Sequence, residues 1–213
     1  MSNIQTVDHL STEANNIRAA IQEDAAQRLL KFAKGKYTIK EEEVPLGTEF
    51  IAYCRMWVKG WVKFIDKKVV EKKLYKVALG EKRPPRDELD EVEKINTTHD
   101  PRGDQYFLPL ENLETGEVLI FITSTWGGRE AVRELCDEYG KRIRAEQYGQ
   151  PIVQLAAGTR KTKDYGDVPR PAFEIVRWDD KQADVNAPEV SIAAAIPVTA
   201  KPPRDDMDDE IPF

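Results

Sequence analysis

Apolar residues recur along this chain with two different periods. Over 12–34, TEANNIRAAIQEDAAQRLLKFAK, Ile17, Ala20, Ile21, Ala25, Leu29 and Phe32 fall at helical spacing and predict a helix. Thr12 with Asn15 or Asn16 offers a cap region, and Gly35 an end. Over 50–64, FIAYCRMWVKGWVKF, the period drops to two and the composition turns aromatic and β-branched, which predicts a strand. A second strand over 69–79, VVEKKLYKVAL, is expected to pair with it through Asp66-Lys67-Lys68. Residues 80–105 hold Gly80, Pro84, Pro85, Pro101 and Gly103 among many charges and read as a long loop. An apolar run over 117–124, EVLIFITS, reads as a buried strand. Gly127-Gly128 then opens a helix over about 129–146, with Ala131, Val132, Leu135, Cys136, Tyr139 and Ile143 on one stripe. Strands follow over 151–157 and 172–178, joined by the basic stretch GTRKTKDYGDVPRP. Beyond Trp178 periodicity is lost.

Three strands, a helix and two strands, after an N-terminal helix, match the connectivity of an OB fold. The expected fold is therefore mainly β with helices: an OB-like, five-stranded Greek-key barrel with an added N-terminal helix. Other small α+β folds share this string of elements. The boundaries that follow are a helical segment over 1–35, an OB-like domain over 36–178, a flexible linker over 179–204 and a disordered acidic tail over 205–213.

Charge sharpens the division. The 213 residues carry a formal net charge of −6. Asp205, Asp206, Asp208, Asp209 and Glu210 supply five of those charges, so the rest of the chain is nearly neutral and can hold a local basic face. Cys54 and Cys136 are far apart and show no pairing or metal spacing, the pattern of a reducing cytoplasm. The start, MSNIQTVDHL, has no signal-peptide character, and no apolar run reaches the roughly 20 residues of a membrane span. A cytoplasmic protein is expected, without a membrane role.

The 53–64 stretch carries the chemistry. Alternation in a strand would place Tyr53, Arg55, Trp57, Lys59, Trp61 and Lys63 on one face. Cys54, Met56, Val58, Gly60, Val62 and Phe64 would face a barrel interior. Three unpaired cations are costly to bury, whereas a face mixing rings and cations suits single-stranded nucleic acid: bases stack on the rings and the cations take phosphates. The competing reading makes Trp57 and Trp61 core or subunit-interface residues covered by lysine stems. A bulge at Gly60 would separate the two tryptophans. Arg160, Lys161, Lys163, Tyr165 and Arg170, between the last two strands, form a second basic candidate. Lys34, Lys36 and Tyr37 form a third, and Gly127-Gly128 is a candidate phosphate-binding turn.

Catalytic motifs are missing: there is no GxxxxGK[ST], GxGxxG, HExxH, GxSxG or CxxC. His9 and His99 lack a catalytic setting, and Asp87, Glu88, Asp90, Glu91 and Glu93 read as a solvated acidic segment rather than a metal site. A non-enzymatic protein with no cofactor and no metal is expected.

The last nine residues, DDMDDEIPF, resemble the C-terminal tail of bacterial single-stranded DNA-binding proteins, an Asp-rich stretch ending in Ile-Pro-Phe. That resemblance implies a body that covers single-stranded DNA and a tail that docks on replication, recombination and repair enzymes. In this sequence Phe213 would be the anchor and Pro212 and Ile211 its apolar neighbours. Asp205, Asp206, Asp208, Asp209 and Glu210 would guide encounter with a basic surface. The likeness covers nine residues. The body lacks the usual bacterial N-terminal strand pattern and carries a helical segment in front. A divergent phage, prophage or plasmid version fits that departure, and homo-oligomerisation stays open. Two rivals remain: a nuclease or annealing factor carrying such a tail, and an inhibitor that mimics the tail to capture host partners.

Overall fold

A computed structural model describes residues 28–65, 68–85, 102–163 and 166–179. Among these the chain is mainly β, with one α-helix and ten strands joined in a single sheet. The strands are β1 (Leu29–Ala33), β2 (Lys36–Ile39), β3 (Glu42–Val44), β4 (Glu49–Ala52), β5 (Val58–Ile65), β6 (Lys68–Lys76), β7 (Arg102–Asn112), β8 (Val118–Thr123), β9 (Gln150–Thr162) and β10 (Gly166–Asp179). The helix, α1, spans Trp126–Arg144. The strand order is β10-β9-β4-β7-β8-β1-β2-β3, with β5 and then β6 branching from β7.

The sheet curls on itself, and one tyrosine fastens the curl. Tyr37 lies on β2, near one end of that order, and is fully buried. Its hydroxyl reaches the other end: Ala172 O and Ala156 O lie 3.0 and 3.1 Å away as acceptors, and Ala172 N–H donates to it at 3.2 Å. The Tyr37 ring meets Phe32, Phe121 and Phe173 with centroids 4.9, 6.1 and 6.3 Å away. This curled open sheet is compatible with an OB-like fold.

Four expectations are corrected. The N-terminal helix does not run to 34, because Leu29–Ala33 is a strand, parallel to β8 and antiparallel to β2. Lys34 (φ 52°) and Gly35 (φ 84°) make the two-residue turn between β1 and β2, a geometry that favours glycine at its second position. Residues 12–27 lie outside the described residues. Residues 50–64 are not one strand, because a 3-10 turn over Cys54–Met56 separates β4 from β5. Both strands lie along the same edge of β7, β4 beside its C-terminal end and β5 beside its N-terminal end. Residues 102–105 belong to β7 rather than to a loop. The basic stretch over 158–171 is mostly strand, forming the outer part of a long β9–β10 ribbon.

Pro109 explains how β7 tolerates a proline. In a strand, a residue's N–H and C=O point to the same side. Pro109 O accepts from Tyr53 N at 3.1 Å, where the chain leaves β4 for the 3-10 turn. The missing N–H therefore falls where the neighbouring strand is interrupted, so no ladder bond is lost.

The helix follows its predicted stripe, with Ala131, Val132, Leu135 and Tyr139 buried against the main core. Thr125 caps it, its Oγ accepting from Gly128 N at 3.1 Å. Gly128 is required by packing: a Cβ there would lie 2.0 Å from Thr123 Oγ1. Within the described residues no helix is long and apolar enough to cross a membrane.

Candidate nucleic-acid interface

Directly opposite residues on neighbouring strands share a face. On β5, Lys59 stands between Tyr75 of β6 and Tyr106 of β7, Trp61 between Lys73 and Asp104, and Lys63 beside Glu71. The other face places Val58, Val62 and Phe64 in a core cluster with Phe107 and Ile120. The odd–even division of β5 is thus present. Gly60 holds its register, and the bulge lies further along the strand, between Lys63 and Phe64. Gly60 is needed for close approach, since a Cβ would lie 2.1 Å from the Lys73 carbonyl oxygen.

The face stops short of Tyr53. The 3-10 turn buries Tyr53 with Ile51 and Ile152, its hydroxyl bonded to the Glu111 carboxylate, and leaves Arg55 exposed. Trp57 is 9% exposed and packs on Tyr106 with ring centroids 5.4 Å apart. Lys59 supplies the cation for these rings: its Nζ lies 5.1 Å from the Trp57 centroid, 5.6 Å from Tyr75 and 5.5 Å from Tyr106. Burial pushes the Tyr75 phenol up, Arg83 draws it down and Asp104 raises it. Lys63 is 5% exposed.

Trp61 is half-buried beneath residues 83–84. The Arg83 guanidinium lies 4.2 Å from its ring centroid, and its indole N–H donates to Pro84 O at 3.1 Å. Arg83 also pairs with Asp104 at 3.2 Å, and Asp104 pairs at 3.1 Å with Arg129 from the first turn of α1. The alternation of rings and cations is therefore largely satisfied inside the protein, and Tyr53, Trp57 and Trp61 do not form one open stacking strip.

A second surface gathers candidates that lie far apart in the sequence. Lys34 of the β1–β2 turn, Thr125–Gly127 at the start of α1, and Arg160, Thr162 and Val168–Pro171 of the β9–β10 ribbon line a groove of about 380 Å³. Trp126 stands in it, 44% exposed, with the Arg160 guanidinium 3.3 Å from its ring centroid. Arg170 fastens the ribbon to the helix, bonded to Glu130 at 3.0 Å and to both carboxylate oxygens of Glu134 at 3.0 and 3.2 Å. Those carboxylates, Glu134 foremost, hold its guanidinium pKa above the ordinary arginine value. Arg170 therefore acts as an anchor. Gly127 leaves room for it, since a Cβ there would meet Arg170 Cβ at 3.0 Å. Lys161 and Lys163 are exposed, and alternation turns Lys161 to the ribbon face opposite Arg160. Lys36 of the third candidate pairs with Glu43 at 2.6 Å, and Tyr37 is core.

Trp126 is the residue that sequence reasoning missed. Its signal was the order strand, Thr-Trp, Gly-Gly: an aromatic at a strand-to-helix junction, where the first side chain of a helix has no preceding turn to cover it. Tyr165, His9, His99, the acidic group at 87–93 and the segment 205–213 lie outside the described residues. Among the described residues no group of His, Cys, Asp and Glu has metal-binding geometry. Comparison with protein-family models, curated proteins and solved structures finds no match for this chain.

Proposed function

We propose that this chain is a non-enzymatic protein that binds single-stranded DNA without sequence readout and recruits replication, recombination or repair enzymes through residues 205–213. The observation that carries the binding half is Trp126: an indole 44% exposed, in a groove bordered by Arg160 and Lys34, on a curled β-sheet. A groove with rings for bases and cations for the backbone binds single strands of any sequence, because every base has a π-face. Duplex DNA offers no unstacked base to Trp126. The β5 face, with Lys59 and Trp61, extends this surface once Arg83 releases its ring. In this reading the curled sheet holds an OB-like, five-stranded Greek-key core, and DDMDDEIPF supplies the acidic, Ile-Pro-Phe docking segment.

The test is a titration of the intact protein with oligo-dT and with a matching duplex at several salt concentrations. Preference for the single strand, weakening as salt rises, is expected. Equal affinity for both, or no binding at low salt, refutes the proposal. Removal of Phe213 should leave the oligo-dT constant unchanged.

A further inference from the structure

Cys54 and Cys136 are distant in sequence, and the fold brings them together. Cys54 opens the 3-10 turn between β4 and β5 and is 4% exposed. Cys136 projects from the buried stripe of α1 into the same core cluster and remains partly exposed. The turn that carries Cys54 packs against α1, and Cys136 lies close enough to Cys54 to shift its thiol. Both are free.

We propose that Cys54 and Cys136 form a reversible intramolecular disulfide when the protein meets a peroxide-class oxidant, tying α1 to the turn that separates β4 from β5. Access fixes the order of events. Cys136 is the sulfur that a small oxidant reaches, since Cys54 is sealed beneath the turn. The Cys136 thiolate attacks a peroxide oxygen; an S–O bond forms, the O–O bond breaks, and the departing hydroxide leaves as water after taking a proton. The Cys54 sulfur then attacks the sulfenic sulfur of Cys136. The S–S bond forms, the S–O bond breaks, and the hydroxyl leaves as a second water with the Cys54 proton. Two thiols and one peroxide thus give one disulfide and two waters. Burial, reinforced by Cys136 beside it, pushes the Cys54 thiol well above the usual cysteine range. The raised Cys54 thiol is the slower nucleophile, so its attack depends on being held beside Cys136.

The link would join the turn to the helix that carries Trp126. Treat the full chain with a small excess of hydrogen peroxide, then measure intact mass, map peptides without reduction and record melting. The expected result is a mass lower by two hydrogens, a linked Cys54–Cys136 peptide and a Tm higher by roughly 5 °C, all reversed by dithiothreitol. Cys54→Ser should instead take up oxygen at Cys136. If that variant does not fold, Cys136→Ser, changed on the partly exposed side, should leave Cys54 unmodified under the same treatment. Oxygen uptake at Cys136 in the unaltered protein with no linked peptide, cross-linking only between chains, or modification of Cys54 in Cys136→Ser would each overturn the proposal.

Discussion

Trp126→Ala separates binding from folding at the candidate groove. Trp126 is the first residue of α1 and 44% exposed, and its helix cap is the Thr125 side chain, which the substitution leaves in place. Within the protein, the substitution removes the stacking of the Arg160 guanidinium on the indole, about 0.5–1 kcal/mol at an exposed site. Stability should fall by no more than about 1 kcal/mol. The effect expected on oligo-dT binding is larger. One stacked base contributes about 1–3 kcal/mol, which weakens the dissociation constant by about 5- to 150-fold. Anisotropy of a labelled oligo-dT at two salt concentrations reads this directly, with a melting curve of the same sample as the folding control. Arg160→Gln makes a different mark. Removing one phosphate-neutralising cation lowers the slope of log K against log salt by about 0.7 for a single strand, whereas Trp126→Ala leaves the slope alone. Affinity within twofold of the unaltered protein, with unchanged melting, would show that Trp126 stacks on nothing and that the groove is not the interface.

Gly60→Ala should destabilise the β5–β6 pairing, since the added methyl would sit 2.1 Å from the Lys73 carbonyl oxygen. An overpacking cost of about 1–3 kcal/mol is expected as a lower urea midpoint, and an unchanged midpoint would contradict the close approach. Tyr37→Phe removes the hydroxyl that joins β2 to β9 and β10, at a cost of about 1–3 kcal/mol. Burial raises the Tyr37 phenol above its usual value near 10, so the folded state holds its proton to higher pH than the unfolded chain. Its stability contribution is complete below pH about 10 and is lost as pH climbs above that. Tyr37→Phe should therefore show a shallower alkaline fall in denaturation midpoint; identical slopes would reject the linkage. Asp104→Asn removes the carboxylate held by Arg83 and Arg129, with an expected cost of about 1–2 kcal/mol because Arg83 is 46% exposed. The same substitution should tighten oligo-dT binding at low salt, and weaker binding there would place Asp104 outside the DNA path.

Elements whose periodicity is set by one large core were legible. Val132, Leu135 and Tyr139 point at that core, as do Leu119 and Phe121 of β8, while Ile120 and Ile122 face a second cluster, so β8 reads as an unbroken apolar run. The even face of β5 was legible for the same reason. Residues 29–33 were not, because Leu29 and Phe32 continue a helical spacing while Leu30 and Phe32 also fit a strand. The parallel partner β8, which settles the choice, lies far along the chain. β7 was hidden by Gly103, Asp104 and Pro109, and two of these have a clear tertiary reason to be there: Asp104 meets two arginines, and Pro109 faces an interrupted edge. The aromatic and basic face of β5 was half legible. Alternation gave the side on which Lys59 and Trp61 lie, but not that Tyr75 and Tyr106 would share Lys59 or that Arg83 would cover Trp61.

Asp104 also decides how the two surfaces relate. It lies on the β5–β7 face beside Trp61, and Arg129, its partner, is three residues from Trp126 on α1. One carboxylate, 15% exposed, therefore stands between a cation resting on one tryptophan and a cation next to the other. A chain of phosphates running from the Trp126 groove towards Trp61 would meet both arginines and compete with Asp104 for them. The exchange would be nearly neutral in ion pairs, since Arg83 and Arg129 would each trade one oxyanion for another. It would also lift Arg83 from the indole it covers. Without DNA, Asp104 keeps the arginines paired and Trp61 covered. On the proposed reading, phosphate would take over the pairing and the ring would become available to a base. On that reading, Asp104, by pairing with Arg83, would keep Trp61 covered until a polyanion competed for the arginine.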